Sequence, residues 1–322
     1  MGSGVAGKRP PASESAPASN PVFSQGASVM SDMPTADQRS PGAIAALSGL
    51  SAVADRYDTL FCDIWGVLHD GLRENAPAGE ALERFRAQGG TVVLVTNAPI
   101  PQAAVARLLD KKQVRRQAWD AIVSSGDVTR SLLVERGGGG VFHIGPDRDL
   151  SLFADLPTAR APMETASVAV VTGLVREETE SAEDYLPQLQ QMRARYLDLV
   201  CANPDRVVHV GDRLLPCAGA IGDLYEELGG VVLWAGKPHA PIYDMALAKA
   251  RALRGADIDK ARILMIGDSV RTDLAGATAY GLDALFVSRG IHRDGADDNE
   301  AAALMLREAG ADAIGVTPFL RW

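Results

Sequence analysis

A chain of 322 residues has room for about two domains, and 47% apolar with 23% charged residues is the make-up of an ordinary globular protein. A net charge of −9 argues against a nucleic acid held on a basic patch, though not against a metal-bridged phosphate. No apolar run approaches the ~20 residues needed to span a bilayer, and Cys62, Cys201 and Cys217 are too scattered for a disulfide framework or a metal-ligand motif, which fits a reduced, cytoplasmic setting.

Residues 1–40 open with MGSGVAGKRPPASESAPASNPVFSQGASVM, rich in Pro, Ser, Ala and Gly and without apolar period. Such a segment buries too little surface to offset its ordering entropy, so a disordered tail is expected. It lacks the continuous apolar stretch of a signal peptide. Met1, Met30 and Met33 all remain open as the start.

From Pro41 the pattern is regular. Residues 42–56 are expected to be helical. YDTLFCDIW reads as a buried strand. A helix is predicted from Ala78 to Gln88, with Pro77 before it and Gly89-Gly90 after it. TVVLVTN is a second, β-branched strand, and Gln102–Lys112 a second helix. Strand–helix–strand–helix order predicts a parallel sheet with right-handed crossovers. AIVSSG, GVFHIG, SVAVVTG, LDLVCAN and RVVHVGD follow as short strands, with helices over Asp127–Glu135 and Ser181–Tyr196 between them. The first pattern then resumes: GGVVLWAGKP, a helix Ile242–Arg254, ARILMIGDS, a helix Thr272–Tyr280, and LDALFVS. The expected fold is α/β, a parallel-sheet core over 41–104 and 232–322 interrupted by an inserted α/β cap over 105–231.

Four strands close on polar residues: Asp63 after the first, Thr96-Asn97 after the second, Lys237 after Trp234-Ala235-Gly236, and Asp268-Ser269 with Asp273 beyond. In a parallel sheet these ends share the edge where such folds bind ligands. Carboxylate attack on phosphorus would make an aspartyl-phosphate. Mg²⁺ with oxygen ligands would neutralise the approaching anions, and Lys237, Thr96 and backbone amides would hold the phosphoryl oxygens. Each residue also has a plain structural alternative: Asp63 and Asp268 as caps or turn formers, Asp273–Lys237 as an ordinary ion pair, Asn203-Pro204-Asp205 as a turn. The joint pattern favours the reactive reading.

DIWGVLHDG, VTNAP, GKP and IGDSVRTD, in that order and with a long insertion between the second and third, resemble the four motifs of the haloacid-dehalogenase superfamily, and within it the NagD-like phosphatases with a class IIA cap. CANPD and SSGD resemble further segments of those proteins. The resemblance covers about residues 45–320. It implies a Rossmann-like core with Asp63 as nucleophile, Mg²⁺ on Asp63, Asp268 and the backbone carbonyl of Trp65 with Asp273 nearby, and Thr96 and Lys237 as phosphate ligands. Asn97, Asn203, Asp205 and Trp65 are expected to line the substrate site. A small phosphorylated metabolite is the expected substrate, and a homodimer accords with how such caps are used in the family.

One position departs from that pattern. Two residues after the nucleophile, where family phosphatases carry an Asp that protonates the leaving oxygen and then activates water, this chain carries Trp65. An indole N–H donates a hydrogen bond but is no useful acid. Such proton transfer is worth ~100- to 10,000-fold, so a slow phosphatase, or one preferring good leaving groups, is expected. His69 is a candidate substitute base. Two further readings follow from the same position. Dehalogenases of the superfamily, which attack carbon without a metal, carry an aromatic Tyr there, but Asp268 and Asp273 argue for phosphorus. A phospho-ligand-binding or regulatory protein with weakened turnover is the other.

Overall fold

The computed structural model describes residues 1–2, 44–136, 138–210, 213–289 and 299–322. The expected tail over 1–40 lies almost wholly outside the described residues.

The chain runs through β1 (Thr59–Cys62), α1 (Ala76–Ala87), β2 (Thr91–Thr96), α2 (Gln102–Lys111), β3 (Ala121–Ser124) and α3 (Ser125–Arg136). It continues through β4 (Val141–Ile144), β5 (Val168–Val171), α4 (Leu186–Ala194), β6 (Leu199–Cys201), β7 (Val207–Val210), β8 (Arg213–Pro216) and α5 (Ala218–Glu227). Last come β9 (Val232–Trp234), α6 (Ala240–Arg254), β10 (Ile263–Gly267), α7 (Ala275–Tyr280), β11 (Asp283–Val287), α8 (Asn299–Glu308) and β12 (Gly315–Thr317).

Six strands form one parallel sheet in the order β12-β11-β10-β1-β2-β3. β1 and β2 are buried on both faces, which is why they read as unbroken apolar runs. Alternate side chains serve opposite layers. Phe61, Val93, Val95 and Met265 join Ile242, Tyr243 and Ala246 of α6 on one face. Leu60, Cys62, Val92 and Leu94 join Ala81, Leu82 and Phe85 of α1 on the other. Full burial of a Leu or Phe of this kind contributes about 1.5–3 kcal/mol.

A second parallel sheet has four strands, β4-β5-β6-β9. Val168, Val170 and Val200 face the same apolar layer as Phe61, while Ala169, Val171 and Leu199 pack on Leu189 and Met192 of α4 and Ile221 and Tyr225 of α5. α3 packs against both α6 and β6, so one continuous apolar layer joins the lobes. β7 and β8 form an antiparallel hairpin, Val207 opposite Pro216.

Several sequence expectations are corrected. The limits 105–231 do not coincide with the sheets: β3 pairs with β2 in the large sheet, and β9 pairs with β6 in the small one. The chain therefore passes to the small lobe by way of α3 and returns after Trp234. A short apolar run specifies a strand but not the sheet that it joins. Residues 42–56 are not one helix. Among the described ones, Leu50–Ala52 and Ala54–Arg56 are short 3-10 turns, and the chain before them is drawn into backbone hydrogen bonds with the C-terminal segment, Leu47 N to Val316 O (2.8 Å) and Leu50 N to Arg321 O (2.7 Å). The stretch expected as a helix from Thr272 begins instead with a π-helical turn, Val270–Leu274. No helix among the described residues is long and apolar enough to cross a membrane.

Candidate active site

In the large sheet the chain runs from β1 outward through β2 to β3 on one side, and β10, β11 and β12 lie on the other. The order reverses between β1 and β10, so a crevice opens beyond the C-terminal ends of those two strands. Asp63 follows β1 there, and its N–H extends the ladder by donating to Ile266 O at 2.8 Å. Asp268 follows β10. Both are buried.

Lys237 enters on the segment that returns from β9. Its backbone is clamped by Asn97: the Lys237 N–H donates to Asn97 Oδ1 (2.7 Å), and Asn97 Nδ2 donates to Lys237 O (3.1 Å). Gly236 permits this approach, because a Cβ there would lie 2.4 Å from Asn97 Oδ1 and 2.7 Å from Pro204 Cδ. Lys237 Nζ, in a side chain 2% exposed, donates at 2.6 Å to Asp63 Oδ1 and at 2.6 Å to Asp273 Oδ1. The π-helical turn aims Asp273 inward, and Asp273 Oδ2 accepts from the Ser269 N–H at 3.1 Å. Asp273 is thus committed to Lys237 and to its own turn.

Electrostatics follow from this crowding. Burial raises the Asp63 carboxyl to about 7, with Lys237 opposing the rise and Asp273 adding to it. Burial alone would lower the Lys237 ammonium, but Asp273 and Asp63 outweigh it and hold Lys237 firmly charged. Carboxylate oxygens of Asp63, Asp268 and Asp273 lie within 4.8 Å of one another, facing a single ammonium. Hard carboxylate oxygens on Asp63 and Asp268, with the negative charge of Asp273 close behind them in a buried crevice, suit a divalent cation such as Mg²⁺. The turn after Asp63 packs closely against Asp268. Gly66 has φ +86°, and a Cβ there would sit 1.9 Å from Asp268 Oδ2.

A cavity of about 680 Å³ covers this edge. Asp63, Trp65, Thr96, Asn97, Asn203, Asp205, Lys237 and Asp268 all contribute to its wall, so the expected site residues converge, apart from Asp273, which stands behind Lys237. Thr96 Oγ1 accepts from the Ala98 N–H at 3.3 Å. Asn203 is both a turn former and a wall residue, its Oδ1 accepting from the Asp205 N–H at 3.1 Å. Trp65 lies over Gly71, with its ring edge-on to His69 at 5.1 Å between centroids. The Trp65 Nε1 is buried without a hydrogen-bond partner among the described residues. His69 stays out of the cavity wall. Its Nδ1 accepts from the Gly71 N–H at 3.0 Å, and burial, aided by Lys112, lowers it to about 4. It serves the loop.

The opposite wall comes from the C-terminal edge of the small sheet; Asn203 and Asp205, which follow β6, were anticipated there, and the rest was not. Thr172 and Gly173 follow β5, and Arg148 and Asp149 lie beyond β4. Asp149 is 5% exposed, and burial raises it to about 6 against a hydrogen bond from Thr172. Arg148 forms a two-point ion pair with Glu177. The strand-end logic that found Asp63 and Asp268 would have found Thr172 in SVAVVTG. Ile100, Leu108, Val207 and Leu215 make much of the remaining wall apolar.

A haloacid dehalogenase-like hydrolase family model matches residues 60–157, and a HAD-hydrolase-like model matches residues 234–309. A solved hydrolase of the haloacid dehalogenase-like family from Brucella suis 1330 aligns at 43% identity and TM-score 0.76, over 84% of this chain and 98% of that one. The chain belongs to the haloacid dehalogenase-like hydrolases. Two further relatives share less of the sequence. A glycerol-3-phosphate phosphatase from Gallus gallus is 27% identical over 272 residues, covering 74% of this chain and 82% of its own length. A glycerol phosphate phosphatase from Mycobacterium tuberculosis, solved in complex with magnesium, shares the fold at TM-score 0.56 and 24% identity, over 74% of this chain and 71% of that one. A putative nagD protein also shares the fold, at TM-score 0.58 and 22% identity, over 72% of this chain and 88% of that one.

Proposed function

We propose that this chain is a divalent-metal-dependent phosphatase of a small phosphorylated metabolite, acting through a phosphorylated Asp63. The observation that carries the reading is a buried ammonium, Lys237, shared by Asp63 and Asp273 at 2.6 Å each, at the foot of a cavity beside Asp268.

Asp63 and Asp268, with the Trp65 carbonyl, would hold Mg²⁺, and Asp273 would complete the acidic set. A bound divalent cation supplies positive charge that lets an anionic phosphoryl group approach a carboxylate. The protein's own groups do the rest. Asp63 presents an oxygen to phosphorus from a rigid strand end. Lys237, held at its backbone by Asn97 and at Nζ by Asp273, offers charge to the phosphoryl oxygens as the bond breaks. The Thr96 hydroxyl is a second donor to them. Arg148, Asp149 and Thr172 on the far wall meet the organic part of the ester and select it, and the apolar wall between accepts a carbon skeleton.

The dehalogenase alternative is disfavoured by Asp268 and Asp273, which carbon chemistry does not require. The test is a panel of sugar, nucleotide and aryl phosphates assayed with Mg²⁺, together with binding of beryllium fluoride, a mimic of phosphorylated Asp63. Metal-dependent phosphate release and beryllofluoride binding lost in Asp63→Asn are expected. Halide release that survives a chelator, or beryllofluoride binding equal in Asp63→Asn, would overturn the reading.

A further inference from the structure

We propose that Asp205, carried by the small lobe, donates the proton to the leaving oxygen and then takes one from the attacking water, the two transfers for which Trp65 has no usable group. The proposal rests on the phosphatase reading above.

Three small-lobe carboxyls reach the cavity, Asp149, Glu177 and Asp205, and Glu177 is taken up by its two-point pair with Arg148. The other two sit in different fields. The charges that act on Asp149 are Arg148 and Glu177, whereas those that act on Asp205 are Lys237 and Asp273. Asp205 is therefore the small-lobe carboxyl beside the reacting edge.

It is also held there. Asn97 Nδ2 donates to Asp205 Oδ1 at 2.9 Å, and the same amide nitrogen donates to Lys237 O, so one side chain ties Asp205 and Lys237 together. Asp205 N donates to Asn203 Oδ1, and Asp205 O accepts from the Gly219 N–H at 3.0 Å. Asp205 Oδ2 accepts no hydrogen bond among the described residues, and the residue contributes to the cavity wall. A carboxyl fixed at one oxygen, with the other uncommitted at the cavity, suits proton transfer. Burial raises its affinity for a proton, against the Asn97 hydrogen bond and the Lys237 charge. The other titratable groups around it are the Cys201 and Cys217 thiols, both raised by burial, while Arg206 next in the chain is engaged by Asp223.

The steps balance. An Asp63 oxygen bonds to phosphorus while the bond from phosphorus to the leaving oxygen breaks. The leaving oxygen keeps the electron pair and takes the Asp205 proton, giving a neutral alcohol. Water oxygen then bonds to phosphorus, Asp205 takes a water proton, and the bond from phosphorus to Asp63 breaks with its electron pair returning to the carboxylate. Phosphate leaves and Asp205 is protonated again.

Asp205→Asn tests this with glycerol phosphate, a poor leaving group, and p-nitrophenyl phosphate, a good one. Turnover of glycerol phosphate should fall by ~100-fold or more. With p-nitrophenyl phosphate the first step needs no acid, so a burst of about one nitrophenolate per site should precede slow turnover. The high-pH limb of the wild-type glycerol phosphate profile, where Asp205 loses its proton, should disappear. Beryllofluoride binding should persist in Asp205→Asn, which shows an intact site. Equal losses on both esters without a burst, or an unchanged pH profile, would assign Asp205 a positioning role only and overturn the proposal. Wild-type protein that binds no beryllofluoride would instead overturn the phosphatase reading. Should Asp205→Asn fail to fold, Asp205→Glu and Asp205→Gln, equal in size, make the same comparison: only Glu should sustain glycerol phosphate turnover.

Discussion

Across one cavity, two parallel sheets turn their C-terminal edges toward each other. The large sheet gathers Asp63, Asp268 and Asp273 within 4.8 Å of one another, with the buried Lys237 ammonium bridging Asp63 and Asp273. The small sheet offers Thr172, a buried Asp149, and an Arg148–Glu177 pair in which the Arg148 side chain is 61% exposed. The architecture is the same, but the concentration of charge is not. Where several charges share one dry crevice, each is held only by the others, and the edge is poised to take up a cation and an anion. Where charges are fewer and partly solvated, as around Arg148 and Glu177, the wall can discriminate a ligand but carries little uncompensated charge.

The sharpest way to break this contrast is Lys237→Met. It leaves the carboxylates uncompensated, so it should destabilise the fold by roughly 3–5 kcal/mol and cut turnover by ~100- to 1,000-fold. Denaturant unfolding and phosphate release measure the two. A variant as stable as wild type would mean that the large edge is not held by its charges.

Gly66→Ala comes next. A Cβ at this position collides with Asp268 Oδ2, in a backbone region that also disfavours side chains. In wild type, Mg²⁺ at 100 times its dissociation constant should stabilise by about 2.7 kcal/mol, seen as a rise in Tm. In the variant most of that rise should vanish, while the small lobe is untouched.

The smallest effect belongs to the small edge. Burial raises Asp149 to about 6 from the ordinary 3.8, so the folded state binds more protons than the unfolded one between those values. Its favourable contribution is therefore present below the unfolded value and lost as pH rises through about 6. Asp149→Asn removes that penalty. It should stabilise by roughly 1–2 kcal/mol at about pH 8 and by nothing at about pH 4, read from unfolding curves at the two values. A gain at low pH as well would tie the effect to packing instead of charge.

The reactive edge was largely legible in the sequence because its signals are local. A strand buried on both faces is an apolar run, and the polar residue that ends it marks the edge. That rule found Asp63, Thr96, Asn97, Lys237 and Asp268 without any knowledge of pairing. The same rule, applied to SVAVVTG, would have reached Thr172. Arg148 and Asp149 had no such marker, since they lie several residues past β4 in a 3-10 segment, Asp147–Phe153. Residues 42–56 misled because helical spacing there is overridden by backbone hydrogen bonds to the far end of the chain. Strand membership misled for β3 and β9, since a run of three apolar residues fits either sheet.

What the sequence determined by itself was the inventory: α/β character, the strand ends, the acidic set with its one lysine, and a tryptophan that cannot transfer protons. Tertiary structure decided which of these meet. Asn97 and Asp205 stand 108 residues apart and share a hydrogen bond, and Asn97 clasps Lys237 across 140 residues. No local pattern encodes such distances, because they arise only when two sheets fold against one apolar layer. It was that packing that put a small-lobe carboxyl beside Lys237, where the proposed reaction needs the proton transfers that Trp65 cannot supply.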